Sequence, residues 1–188
     1  MIEDPDSSAL VTDYIFDTVG NLRKTTQGDQ IRYFMYDSIG RLLFAKQPEQ
    51  DTNSALTATD PITGNTAWSA KYVYDANSNI TSTTDARNLS ITAIYDKLNR
   101  LTLRDYSDTG TPDVSFFYDG TGLTSVPDNS KGKTTRVTST VSETRNTGFD
   151  EMGRLLTSEQ QTDGVTYPFE YTYNLSGCID GVFTNRGT

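Results

Sequence analysis

Short runs in which apolar and polar residues alternate recur along the whole chain, separated by clusters of Asp, Asn, Gly and Ser. Residues 14–16, 31–36, 71–74, 91–95, 101–106, 114–118 and 169–173 are such runs, rich in Tyr, Phe, Ile and Val. A period of two places successive side chains on opposite faces of a strand. No long window carries the helical period, so the pattern predicts an all-β protein. Each run leads into a tip, best seen in Tyr36-Asp37-Ser38-Ile39-Gly40-Arg41-Leu42. Asp37 suits the first corner of a type I turn, where its carboxylate can accept a backbone N–H. Gly40 suits the last corner, where the chain needs φ > 0 and a residue without Cβ adopts it freely. Tyr36 and Leu42 then flank the turn, one on each strand.

The tip recurs with its acid in register. Good copies are Phe16-Asp17-Thr18-Val19-Gly20-Asn21-Leu22, Tyr74-Asp75-Ala76-Asn77-Ser78-Asn79-Ile80, Tyr95-Asp96-Lys97-Leu98-Asn99-Arg100-Leu101 and Phe149-Asp150-Glu151-Met152-Gly153-Arg154-Leu155. Tyr118-Asp119-Gly120-Thr121-Gly122-Leu123 is a weaker copy, and Tyr173-Asn174-Leu175-Ser176-Gly177-Cys178-Ile179 has Asn for Asp. The last corner is filled by Gly20, Gly40, Ser78, Asn99, Gly122, Gly153 and Gly177. These types tolerate a left-handed corner, so the substitutions follow backbone geometry rather than side-chain chemistry. The acids are spaced by 20, 38, 21, 23, 31 and 24 residues, the 38 being close to two periods with one degraded unit between. A period near 20 corresponds to one strand–turn–strand unit per repeat.

Two residues before each tip aromatic stand Tyr14, Phe34, Tyr72, Ala93, Phe116, Thr147 and Tyr171, on the same face as the aromatics. Leu22, Leu42, Ile80, Leu101 and Leu155 take equivalent places on the returning strands. Each hairpin therefore offers an apolar face of a few large side chains, and because a lone hairpin is marginal in water, neighbouring units are expected to cover one another. Roughly a dozen strands at ~4.8 Å make a sheet ~60 Å wide, and twisted sheets of that width curl or close. The expected organisation is a polar, frayed lead-in over 1–11, a repeat sheet over 12–183, insertion loops near 47–70 and 119–133, and a tail at 184–188. Pro48, Asp60-Pro61 and Gly64-Asn65 punctuate the first loop and Trp68 closes it. Trp68 reads first as a packing residue and second as a ligand platform.

Composition narrows the functional classes. Only 34% of the 188 residues are hydrophobic, yet 11% are aromatic and Thr is the commonest residue, as a half-exposed pleated surface requires. Disordered chains share the low apolar content but lack aromatics in register. The net charge of −9 argues against nucleic acid or an anionic membrane as partner. No apolar run approaches the ~20 residues of a membrane span, and the acidic start lacks a secretory core, so export would depend on sequence outside this chain. With one cysteine, Cys178, and no histidine, Cys/His zinc sites and histidine-dependent nucleophilic catalysis are excluded.

Motifs that resemble chemistry are better read as turns. Asp108-Thr109-Gly110 matches the triplet of aspartic proteases, but a polar stretch precedes it and a second copy would have to come from a homodimer. Gly132-Lys133-Thr134 lacks the earlier glycine of a phosphate loop, Pro127 standing there. The segment from Asp75 to Asn79 has neither the glycine nor the bidentate Glu of a calcium loop. Asn79-Ile80-Thr81, Asn88-Leu89-Ser90 and Asn174-Leu175-Ser176 are glycosylation sequons, frequent by chance in a Thr-rich chain. The repeated acids sit on separate tips and form no catalytic pair. No catalytic, metal or cofactor residues are assigned.

Aromatic-Asp-x-x-Gly-Arg-Leu at intervals near 20, with Thr-rich returning strands, resembles the YD repeat of the Rhs family over residues 12–183. Its members include bacterial Rhs polymorphic toxins, the B and C components of Tc insecticidal toxins, and the teneurins. The resemblance implies a β-sheet of consecutive antiparallel hairpins spiralling as part of a hollow shell, which in the toxins encloses a toxic C-terminal polypeptide. It implies a structural role for Tyr36, Asp37, Gly40, Arg41 and Leu42 and their counterparts, and partners in the remainder of a longer shell and an enclosed toxin. No core-associated segment with its self-cleavage site is evident, Asp60-Pro61-Ile62-Thr63-Gly64 resembling it only superficially. The chain is therefore expected to be a fragment of a longer bacterial protein, secreted or at the cell surface. The paucity of cysteine fits the bacterial branch. Two rival classes are a surface adhesin or carbohydrate binder, with exposed Tyr and Trp68 stacking on sugars, and an aspartic protease acting through Asp108.

Overall fold

The computed structural model describes residues 2–3 and 10–184, with side chains from residue 11 onward. Parts of the lead-in (1 and 4–9) and most of the tail (185–188) lie outside the described residues. All regular structure is β, and no helix occurs among the described residues. Contacts divide the chain into two units, residues 1–92 and 93–188. In each unit the strands are antiparallel, in the order of the chain.

The first unit holds β1 (Ile2–Glu3), β2 (Leu10–Phe16), β3 (Leu22–Gln27), β4 (Gln30–Tyr36), β5 (Leu42–Lys46), β6 (Ala70–Tyr74), β7 (Ile80–Thr84) and the start of β8 (Ser90–Tyr95). Ile2 and Glu3 pair with Val11 and Leu10, inside the stretch expected to be a lead-in. The second unit holds the end of β8, then β9 (Leu101–Tyr106), β10 (Val114–Tyr118), β11 (Thr134–Thr138), β12 (Ser142–Phe149), β13 (Leu155–Thr162), β14 (Val165–Tyr173) and β15 (Ile179–Thr184). The alternating runs thus became strands nearly where the pattern placed them. β14 is longer than its apolar stretch, carrying Pro168 opposite Glu159.

The register shifts by one residue at the end of the incoming strand before each described repeat tip for which pairing is recorded. Phe16 then faces Leu22, Tyr36 faces Leu42, Tyr74 faces Ile80, Phe149 faces Leu155 and Tyr173 faces Ile179, while Tyr118 faces Thr134. The bulge follows from a three-residue loop whose last member is left-handed. At every such tip but that of Tyr118 it sets an aromatic residue opposite an aliphatic one at the mouth of the loop, a favourable cross-strand pair. Tyr14 and Phe16 lie on one face with ring centroids 6.3 Å apart, as the period of two requires.

Neighbouring repeats lie side by side rather than face to face, so most strand side chains stay half-buried. Among the described residues the buried hydrophobic ones are Ala45, Leu56 and Trp68, all at or in the segment between β5 and β6. That segment, read from sequence as an interruption, is the best-packed part of the first unit. The Trp68 indole is fully buried against Phe44, with centroids 5.4 Å apart, and its Nε1–H donates to the Ala58 carbonyl at 2.7 Å. A sugar cannot reach it, so the glycan reading loses the residue on which it leaned. Asp60 opens a turn related to the repeat tips: its N–H donates to the Asn65 carbonyl (2.8 Å), the Gly64 N–H donates to the Asp60 carbonyl (2.9 Å), and Gly64 has φ +71°. The turn lies within the 38-residue gap between the Asp37 and Asp75 tips and has no strands of its own.

A buried ion pair fastens the segment to the sheet. The Arg23 guanidinium donates to the Asp60 carboxylate and lies 3.6 Å from the Asp17 carboxylate, with Arg23 and Asp60 both buried. Thr63 also donates to Asp60 through its N–H at 3.0 Å. Burial pushes the Asp60 carboxyl upward, but the Thr63 hydroxyl, Arg23 and the Thr63 amide outweigh it and hold the group below its ordinary value. Asn53 reaches the Asp85 turn from the same segment, donating to the Asp85 carbonyl at 2.9 Å. Asp60→Ala leaves Arg23 buried without this partner and is expected to cost about 3–5 kcal/mol. Trp68 is the single tryptophan, so denaturant unfolding followed by its emission measures the loss directly. A midpoint equal to the parent's would show that the pair does not hold the segment down.

Candidate functional site at the turn edge

The repeat motifs gather on one edge of the sheet in each unit: the Asp17, Asp37 and Asp75 tips in the first, and the Asp96, Asp119, Asp150 and Asn174 tips in the second. At Asp37 the backbone N–H donates to the Arg41 carbonyl (2.9 Å), and the Gly40 N–H donates to the Asp37 carbonyl (3.2 Å). One carboxylate oxygen accepts the N–H groups of Ile39 (3.0 Å) and Arg41 (2.9 Å), and the other accepts Arg41 Nε–H (2.7 Å). A carboxylate so placed satisfies amides that a three-residue loop leaves without backbone partners. Asp96 with Arg100 and Asp150 with Arg154 repeat the arrangement, their Arg Nε–H donating at 2.8 and 2.6 Å. Asp17 and Asp75 build it with Asn21 and Asn79 in place of arginine. Asn174 keeps the backbone part, accepting the N–H groups of Ser176 and Cys178 at 3.0 Å each.

All seven corner residues named from sequence have positive φ: Gly20 +92°, Gly40 +83°, Ser78 +66°, Asn99 +59°, Gly122 +78°, Gly153 +72° and Gly177 +82°. The weak copy at Asp119 departs from the others. Its N–H donates to the Lys133 carbonyl at 3.1 Å, and its carboxylate accepts Gly132 N–H at 2.6 Å. Residues 120–132 are therefore an elaboration spliced into an ordinary tip, with Lys133 where other tips have arginine. Asp85, between β7 and β8, forms the same carboxylate-closed turn, taking the N–H groups of Arg87 and Leu89 at 2.9 Å each, although it lies on the opposite edge.

The repeat arginine has a second role that its sequence position does not reveal. Having closed its own turn, it covers the tip aromatic of the next repeat. The Arg41 guanidinium lies 4.8 Å from the Tyr74 ring centroid, Arg100 4.3 Å from Tyr118, and Arg154 4.6 Å from Tyr173. In each case the tyrosine hydroxyl donates back to the carbonyl after the arginine: Tyr74 to Leu42 (2.9 Å), Tyr118 to Leu101 (2.8 Å) and Tyr173 to Leu155 (2.8 Å). Arg41 also donates to the Asp75 carbonyl at 3.0 Å, and Arg100 to the Asp119 carboxylate at 2.9 Å. The three arginine-bearing tips are thus each fastened to their successor by a cation–π contact and hydrogen bonds. At the first tip, where Asn21 replaces the arginine, Arg23 takes over and lies 5.7 Å from the Tyr36 centroid.

The residues with chemical potential are engaged within the fold. Asp108 closes its own turn, accepting Gly110 N–H at 2.8 Å and Thr111 N–H at 2.7 Å. The Asp75 carboxylate accepts two amide N–H groups and the Asn79 side chain. Gly132, in the phosphate-loop look-alike, gives its N–H to Asp119. No cluster of three metal-ligating His, Cys, Asp or Glu side chains occurs among the described residues. A cleft of about 440 Å³ lies between residues 122–127 and β11–β13, floored by Arg136, Arg145 and Glu159. Its charges are matched internally: Glu143 accepts from Arg136 at 2.8 and 3.0 Å and also from Arg145, while Glu159 lies 3.6 Å from Arg145.

No protein-family model matches the chain, and no curated protein sequence matches it. Its fold is similar to solved structures of a Tc toxin. The crystal structure of TcdB2-TccC3 without its hypervariable C-terminal region superposes with a TM-score of 0.70 at 13% identity over 96% of this chain. That of TcdB2-TccC3-Cdc42 gives 0.69 at 14% identity, also over 96%. The Photorhabdus luminescens Tc holotoxin pore with a mutated TccC3 gives 0.53 at 15% identity over 95%. This chain spans only 10, 10 and 11% of the respective matched chains.

Two predictions follow the geometry of the edge. Tyr74→Phe keeps the ring under Arg41 but removes the bond to the Leu42 carbonyl, and should cost about 0.5–1.5 kcal/mol in denaturant unfolding. The second concerns acid. The backbone N–H at position 41, 100 or 154, followed among the favourable causes by the arginine side chain, holds Asp37, Asp96 and Asp150 below the ordinary carboxylate value. With the folded value depressed, their stabilisation is fully present above the unfolded value near pH 4 and is lost as pH falls through the lower folded values. Asn at all three positions should lower stability at pH 7 and flatten its decline below about pH 4, measured as urea midpoints across the acid range.

Proposed function

We propose that this chain is a structural segment of an Rhs/Tc-type β-shell, which encloses or helps deliver a C-terminal toxin polypeptide and performs no catalysis of its own. The observation that carries the reading is the match of nearly the whole chain, 96%, to a tenth of the TcdB2-TccC3 chain. A segment that uses its carboxylates, arginines and tyrosine hydroxyls to fasten one hairpin to the next has the chemistry of a wall. The repeat region over 12–183, with its loops at 47–70 and 119–133, is the part that builds this wall. The named tip residues set its turns and links. Its partners are the remaining repeats of a longer bacterial protein and the enclosed polypeptide, and it reaches the outside of the cell with that protein.

The test is electron microscopy of the protein made from the complete reading frame that contains this segment. The expected result is a hollow particle whose wall is formed by further repeats of the same kind, with a C-terminal polypeptide inside. A solid particle, or a reading frame with no further repeats, would overturn the proposal.

A further inference from the structure

The large apolar side chains most open to solvent are not scattered. Val19, Ile39, Leu98 and Met152 are 81, 69, 70 and 75% exposed, and Leu175 is fully so. Every one crowns a repeat tip: the first four occupy the second residue after the acid, and Leu175 the residue directly after Asn174. Val126, next at 66%, lies in the elaboration of the Asp119 tip. The connections of the opposite edge are mostly polar, with Gly28-Asp29, Ala86-Arg87 and Asp163-Gly164, Ile62 and Val141 being apolar exceptions at 50 and 61% exposure. The polar side chains that close a crowned tip, aspartate with arginine at the Ile39, Leu98 and Met152 tips, aspartate with Asn21 at Val19 and Asn174 at Leu175, are turned inward onto the loop, so the crown is aliphatic. Successive hairpins are two strand spacings apart, so neighbouring crowns, such as Val19 and Ile39 in the first unit, recur at about 10 Å.

We propose that these crowns are a contact surface for another stretch of the same polypeptide, a row of turns from other repeats that presents apolar side chains at the same interval. The inference rests on the reading of this chain as part of a longer wall. Area decides between that occupant and a second molecule. A stable protein–protein interface buries about 800 Å² on each partner, whereas three aliphatic side chains such as those of the second unit's crowns offer roughly 100 Å² each. Free association would not hold so narrow a strip, particularly between chains that each carry a charge of −9. A strip already tethered within one polypeptide meets its partner at high effective concentration and needs no such area. The matched Tc chains are about ten times longer than this segment, which leaves ample chain to provide that partner.

The experiment is thiol labelling of the complete reading frame with a maleimide. Ile39→Cys and Met152→Cys are introduced singly, one in each unit, in a background where Cys178 and any other cysteine are serine. The expected result is labelling at least about tenfold slower than that of a short unstructured cysteine peptide, and independent of protein concentration. Labelling at the peptide's rate overturns the inference, and so does protection that disappears on dilution, which would make a second copy the occupant. The hollow particle is scored separately by microscopy. Protected thiols in a particle without a cavity would remove the shell function and leave this contact standing, whereas reactive thiols on a hollow particle would do the reverse.

Discussion

The structure depends on the closure of each three-residue loop by an aspartate carboxylate. A loop that short leaves two amide N–H groups pointing inward with no backbone acceptor, and one carboxylate oxygen takes both. This fixes the left-handed corner, which produces the bulge, which in turn sets the aromatic residue opposite the aliphatic one. Asn174 shows which part of the device is indispensable: its side-chain oxygen still accepts the two N–H groups, although the second carboxylate oxygen and the arginine are gone. The amide geometry is kept where the charge is not.

Charge does a different job, between repeats. A sheet with so few buried apolar residues cannot rely on a deep core. Its hairpins are fastened edgewise, each arginine bonded to its own aspartate while covering the next tyrosine, and each tyrosine hydroxyl returning a bond to the previous strand. At the first tip, where Asn21 stands in place of the arginine, Arg23 substitutes and serves both the next tyrosine and the buried Asp60. Coupling of this nearest-neighbour kind suits a repeat array, in which each unit meets only its neighbours.

Much of this was legible beforehand, and for local reasons. The strand runs, the seven left-handed corners and the pairing of tip aromatic with Leu or Ile depend on residues within about seven positions of one another. What the sequence hid was nonlocal. Arg41 is 33 positions from Tyr74 and Arg23 is 37 from Asp60, and neither distance is written in the repeat. The packing role of the segment at 47–70 is not visible in its polar, Pro-punctuated composition, which reads as a loop. Its packing comes from folding Trp68, Leu56 and Asp60 back over a sheet whose position the segment does not encode. Likewise, Asp119 looked like a decayed tip because the residues that complete it, Gly132 and Lys133, lie a dozen positions downstream.

By itself the sequence determined the class of structure, the facing pairs at the well-preserved tips and the left-handedness of the seven named corners. A period of two, a carboxylate at the first corner and a Cβ-poor residue at the last act over distances that the backbone itself sets. Only the tertiary structure decided that the arginines link successive tips, that Trp68 is sealed from solvent, and that an inserted segment is the tightest packing in the first unit. Those outcomes depend on which hairpins come to lie side by side and which loop folds onto which face, and both are settled by contacts between residues far apart in the chain.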